Sequence, residues 1–209
     1  MRAKLFILIL ALVVTAGGAF AFLRARMRRD DRPNVILVVV DTLRRDRLVT
    51  YGSVRPTMPA VDELAARNVV FGNAYANSNW TRPSVASLFT GLYVSQHGVK
   101  YVVTGQSGAL PVTQRLPEDA MTLAEAMRAA GYFTIGVVEN VHISEKLGFS
   151  QGFDVWNDRP YGATNVTNAF LDRLSEVKKP FFAYVHYFDP HAPYYRTRYF
   201  ESEGVIVPG

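Results

Sequence analysis

The sequence predicts a doubly wound α/β domain with a mostly parallel sheet flanked by helices. Three observations lead there: short apolar, β-branched runs recur along the chain, stretches of helical spacing separate them, and turn-forming residues mark the boundaries. Strands buried on both faces of a parallel sheet read as continuous rather than alternating hydrophobic runs. With 209 residues, 49% hydrophobic and 20% charged, the chain can form one such domain or part of a larger one.

The first run, Asn34 to Val40, ends at Asp41 and is expected as a strand buried on both faces. Pro59 to Arg67 has helical spacing, with Val61, Leu64 and Ala65 on one side, and Val69 to Ala76 then reads as a strand. Pro83 to Phe89 reads as a short helix stopped at Gly91. Thr122 to Ala130 reads as a helix with Gly131 as its stop. Phe133 to Val138 is a second buried strand. Val166 to Val177 forms an amphipathic helix through Phe170, Leu171, Leu174 and Val177, and Phe181 to Phe188 is a third strand. The polar stretch from Gly105 to Gln114 reads as a surface loop.

Residues 1–31 are set apart from the domain predicted over 32–209. Leu5 to Leu23 carries no charge and is long enough to span a bilayer as a helix. Ala19-Phe20-Ala21 also fits a signal-cleavage site, but Arg24, Arg26, Arg28 and Arg29 follow directly and oppose translocation. The segment is therefore read as a membrane anchor, with a cleaved signal as the alternative. The formal net charge of +5 draws heavily on the arginines and lysine before Pro33, so the remainder offers no basic surface for nucleic acid. The absence of cysteine excludes disulfides, a thiolate metal site and a lipoprotein anchor.

Ligands of open α/β sheets bind outside the carboxyl ends of the strands. Asp41 ends the first strand, and Asp189 and His191 follow the last. A carboxylate at a buried strand end needs a hydrogen bond, a counter-charge or a metal, although Asp41 can equally cap the next turn. Thr81 precedes Pro83, a residue suited to a first helical turn, so its hydroxyl falls where free N–H groups favour an anion. Such a hydroxyl can be a nucleophile toward phosphoryl or sulfuryl centres; on spacing alone, an ordinary N-cap explains it better. Pro190 and Pro193 stiffen the loop presenting His191, a candidate proton donor or oxyanion partner. His186, within the strand, reads as packing or support.

Together these pieces resemble the sulfatase / alkaline-phosphatase superfamily over about Arg32 to Tyr194. Arg32-Pro33-Asn34 through Asp41-Thr42 is similar to the family's first strand and metal-binding Asp. Thr57-Met58-Pro59-Ala60-Val61-Asp62, Phe71-Gly72-Asn73-Ala74-Tyr75-Ala76, Thr81-Arg82-Pro83-Ser84 through Leu88-Phe89-Thr90-Gly91, Gln96-His97-Gly98 and Asp189-Pro190-His191-Ala192-Pro193-Tyr194 follow in the family's order. The resemblance implies Thr81 and His191 as catalytic residues and Arg82, Asp189 and His191 at the substrate. It implies Asp41, Thr42 and Thr81 on a divalent metal ion (Ca, Mg, Mn or Zn). Thr42 stands where sulfatases often carry a second Asp, so it is at best a hydroxyl ligand.

Val85 replaces the signature Arg, and Arg82 supplies the charge from another helix position. A true sulfatase oxidises Cys or Ser at the Thr81 position to formylglycine. Thr cannot yield that aldehyde because its Cβ carries a methyl group, which favours phosphate or phosphonate esters. The family's downstream G-D-H-G-like segment is absent before Gly209, so the chain is expected to be the N-terminal portion of a catalytic domain. The implied partners are a small-molecule, glycan or lipid ester and a membrane through residues 5–23, with the domain outside the cytoplasm. A headgroup transferase and an inactive binding domain are the alternative readings.

Overall fold

The computed structural model describes residues 32–100, 115–175, 177 and 180–192. The expected anchor at residues 5–23 and loop at residues 105–114 lie outside them, as do Pro193 and Tyr194. Among the described residues no helix is long and apolar enough to cross a membrane.

Four parallel strands form one sheet in the order β1-β4-β2-β3: β1 (Val35–Val40), β2 (Phe133–Val138), β3 (Val155–Asn157) and β4 (Phe181–Tyr187). Around it lie α1 (Pro59–Ala66), α2 (Thr81–Thr90), α3 (Val94–His97), α4 (Leu123–Ala129) and α5 (Ala163–Leu174). Central β4 has apolar layers on both faces. Phe182 and Tyr184 join Val85, Phe89, Leu116 and Phe149 on the side of α2 and α4, while Phe181, Ala183 and Val185 join Val166 and Phe170 of α5. Successive strand side chains point to opposite faces, so one continuous hydrophobic run serves both layers.

Helix boundaries follow capping chemistry. The Thr122 hydroxyl accepts from the Glu125 N–H while the Glu125 carboxylate accepts from the Thr122 N–H, closing a capping box at α4. Gly91 ends α2 in the left-handed region (φ 70°) and donates its N–H to the Ser87 carbonyl. Below α2, Phe89 meets Tyr184 edge-on at 4.8 Å between ring centroids. Such a pair adds about 0.5–1.5 kcal/mol beyond the area it buries.

Two sequence expectations are corrected. β1 is not buried on both faces: among the described residues it pairs with β4 alone, and Ile36 and Val38 are about half exposed at 48% and 53%. Among the described residues it stands at the edge of the sheet. Val69 to Ala76 is not a strand; it runs as irregular backbone with Val69, Phe71 and Tyr75 exposed, since among the described residues no strand lies beside it to complete a ladder. The three-residue β3 is an addition that the sequence reading did not contain.

Candidate active site

The carboxyl ends of β1, β2 and β4 and the start of α2 meet at one edge of the sheet. In-register pairing places Val40 beside Tyr187 and Val138 beside His186. The ladder extends one step further, the Asp41 N–H donating to the Tyr187 carbonyl at 2.9 Å and the Glu139 N–H to the His186 carbonyl at 3.3 Å. Asp41, Asn140 and the segment after β4 therefore start from the same rim. Thr42, next in the chain, has φ 54°, a left-handed conformation that is costly for a β-branched residue.

Thr81 is the first residue of α2, and Trp80 is the N-cap position without a side-chain capping bond. The simpler sequence reading, Thr81 as a cap, is thereby replaced: its hydroxyl donates to Asp41 Oδ2 at 2.9 Å. The same oxygen accepts from Asn140 Nδ2 at 2.9 Å and lies 3.3 Å from His186 Nε2. Burial alone would raise the Asp41 carboxyl. The hydrogen bonds from His186 and Thr81, with the charges of His186 and His191, hold it below the ordinary aspartate value instead. Asp41 is thus a carboxylate at neutral pH, polarising the Thr81 hydroxyl.

Arg82 is 8% exposed and turned toward the segment after β2. Its Nε donates to the His142 carbonyl at 3.2 Å, and its Nη2 lies 3.2 Å from His142 Nδ1. A guanidinium only donates, so His142 Nδ1 accepts and the neutral ring carries its proton on Nε2. Burial, then the Arg82 charge, pushes the His142 pKa down, with Asp41 opposing, which favours that neutral form. His191 is set by its N–H to the Phe188 carbonyl (2.8 Å) and by stacking on Phe188 at 4.3 Å. Its Nδ1 lies 2.6 Å from the Ala192 carbonyl, an acceptor, so Nδ1 carries hydrogen.

Of the residues singled out in sequence, the structure joins Asp41 and Thr81 directly. Arg82 reaches the site through His142, and His191 acts electrostatically on both Asp41 and His142. Asp189 is engaged elsewhere, its Oδ1 accepting the Ala163 N–H at the start of α5. The sequence reading missed Asn140 and His142 and undervalued His186. The strand-end rule applied to β1 and β4 would have found the first two had it also been applied to β2. Ser87 and His97, 3.0 Å apart, are not a nucleophilic pair: His97 Nδ1 accepts the Val99 N–H, so Nε2–H faces Ser87 and cannot take its proton.

For a divalent ion, Asp41 and the Thr81 and Thr42 hydroxyls offer hard oxygen donors, the chemistry that suits Ca, Mg or Mn. Asp41 and the Thr81 hydroxyl, 2.9 Å apart, suit part of such a site, and Thr42 follows Asp41 directly in the chain. Among the described residues no three His, Cys, Asp or Glu side chains converge to complete one.

The rim of the parallel sheet thus holds a helix-borne hydroxyl beside a strand-end carboxylate. The family model described as Sulfatase matches residues 33–208, and the chain belongs to the sulfatase family. It is 25% identical over 178 residues to the Delta 4,5-hexuronate-2-O-sulfatase of Bacteroides thetaiotaomicron, covering 80% of this chain and 36% of that protein. A solved structure holding its substrate D-glucosamine-2-N,6-O-disulfate superposes with a TM-score of 0.68 at 22% identity, over 85% of this chain and 39% of the other. The phosphonate monoester hydrolase of Agrobacterium radiobacter shares the fold with a TM-score of 0.57 at 22% identity, over 78% and 42% of the two chains. The chain spans about a third of the length of the curated relative, 36%.

Proposed function

We propose that this chain carries the nucleophile of a metal-assisted ester hydrolase, with phosphate or phosphonate esters favoured over sulfate esters. The observation that carries the reading is the 2.9 Å bond from Thr81 Oγ1 to Asp41 at the first residue of α2. Thr81 Oγ1, polarised by Asp41, forms a bond to phosphorus as the bond to the departing alcohol breaks, and its hydrogen leaves to solvent water. Protonated His191 gives the leaving alkoxide a proton from Nε2; water then cleaves the Thr81 ester, releasing phosphate and restoring the hydroxyl. The His142 Nε2–H and the α2 N-terminus favour the anionic group. A divalent ion on Asp41 and the Thr81 and Thr42 oxygens would supply Lewis-acid stabilisation of the developing charge.

The preference for phosphorus follows from Thr81, which cannot become formylglycine; the relatives named as sulfatases make sulfate esters the comparison arm. The test is turnover of p-nitrophenyl phosphate, phenylphosphonate and sulfate esters by the full chain, with divalent ions supplied. Thr81→Ala is expected to lose at least about 10³-fold in kcat and Thr81→Ser to retain measurable turnover. Undiminished turnover in Thr81→Ala would overturn the mechanism. Anchoring or export through residues 5–23 belongs to the same proposal, supported by the uncharged run and its basic flank.

A further inference from the structure

We propose that Tyr184, His186 and Asn140 form a buried positioning relay that fixes Asp41 and thereby aims the Thr81 hydroxyl. The inference rests on the reading of Thr81 as nucleophile and adds residues that the family resemblance did not supply. Tyr184 and His186 are two residues apart on β4 and so share one face of the strand. Both are essentially inaccessible, at 0% and 1% exposure. The Tyr184 hydroxyl lies 2.7 Å from His186 Nδ1, and His186 Nε2 lies 3.3 Å from Asp41 Oδ2.

Hydrogen-bond bookkeeping sets the direction of this chain. Burial, aided by the Asp41 charge, pushes the Tyr184 phenol well above its ordinary pKa, so it keeps its hydrogen. With neutral His186, the phenol donates to Nδ1 and Nε2–H donates to Asp41; with protonated His186, Nε2–H still donates to Asp41. In both states the imidazole presents a hydrogen to the carboxylate. Asn140 does the same from β2's end, and its own orientation is fixed because Oδ1 accepts the His142 N–H at 2.9 Å. Asp41 Oδ2 is thus gripped by donors from two neighbouring strand ends before Thr81 adds its own. A carboxylate held this way cannot swing about χ2 without breaking part-buried hydrogen bonds.

Tyr184 also ties the relay to the nucleophile's helix. Its ring packs edge-on against Phe89 of α2, one face of the core setting the helix and the hydroxyl setting His186. One tyrosine therefore fixes both partners of the Thr81–Asp41 bond relative to each other.

Two readouts on the full chain test the relay separately from the nucleophile. In long-range 15N NMR, His186 is expected to carry hydrogen on Nε2, with Nδ1 hydrogen-bonded, and Tyr184→Phe is expected to mix the two tautomers. In kinetics with p-nitrophenyl phosphate, His186→Ala is expected to lower kcat about 10- to 100-fold at unchanged KM, the usual range for outer hydrogen-bond partners. His186→Gln, which retains an N–H donor, is expected to recover part of that loss. Tyr184→Phe removes one oxygen without a cavity and guards against simple misfolding, with a smaller loss of kcat expected. A His186 carrying its only hydrogen on Nδ1, or full kcat in His186→Ala, would overturn the relay. Turnover that survives Thr81→Ala would instead sink the hydrolase reading, and the NMR pattern would still decide the relay.

Discussion

Thr81 is one methyl group away from serine, and that methyl decides which chemistry is open to it. It closes the route to formylglycine and leaves a hydroxyl that depends on its surroundings for reactivity. Those surroundings are Asp41, kept ionised by its hydrogen bonds, and the α2 N-terminus. Thr42 is the strained neighbour. Its φ of 54° suits Asn far better than a β-branched side chain, so Thr42→Asn is expected to stabilise the fold by about 0.5–1 kcal/mol, read from urea denaturation. At this scale the sequence was informative where a residue type is chemically unusual for its place. Asp41 after an apolar strand and Thr81 before Pro83 stood out for that reason. Asn140 and His142 did not, because the strand-end rule was not carried to β2; the adjacency of β2 and β4 then brings them beside Asp41.

Among the elements, α2 depends on its clamp to the chain that follows it. The buried His97 bonds Ser87 of α2 and the Val99 backbone, and burial lowers its pKa, a Pro83 backbone contact only partly opposing. The unfolded chain binds a proton at this imidazole below pH about 6.5, while the folded chain resists it. Stability from this group is thus complete above that pH and declines as pH falls. His97→Gln is expected to flatten the decline of Tm between pH 7 and 5, measured by thermal unfolding. β2 carries a second constraint: a Cβ on Gly136 would lie 2.2 Å from Trp156 Cε3, so Gly136→Ala is expected to cost about 1–3 kcal/mol, seen as a lower urea midpoint. Burial explains which strands were legible. β2 was read to the residue because both its faces are covered, whereas β1 shares its apolar composition and, among the described residues, lies at an edge. Val69 to Ala76 has strand composition with no partner strand among the described residues, and β3 is too short to show a period.

For the molecule as a whole, parallel strand order does the assembling. Every group at the candidate site comes from the carboxyl end of β1, β2 or β4, or from the α2 start that packs beneath them. The fold class and the family were legible because they rest on repeated strand–helix alternation and on motifs in a fixed order. The long-range hydrogen bonds were not, since Asp41 and Asn140 are 99 residues apart and Asp41 and His186 are 145 apart. A second consequence concerns the divalent ion. Asp41 is the only carboxylate in the proposed ligand set, so Thr42→Asp is expected to tighten Mn binding at least about tenfold in calorimetric titration of the full chain.

The covalent step gives the most direct measurement. The full chain would be mixed with p-nitrophenyl phosphate and a divalent ion, acid-quenched within the first turnover, and digested for peptide mass analysis. A phosphoryl group on Thr81, absent from Thr81→Ala, is the predicted result. Phosphorylation of another residue, or turnover in Thr81→Ala with no covalent adduct, would contradict Thr81 as the nucleophile.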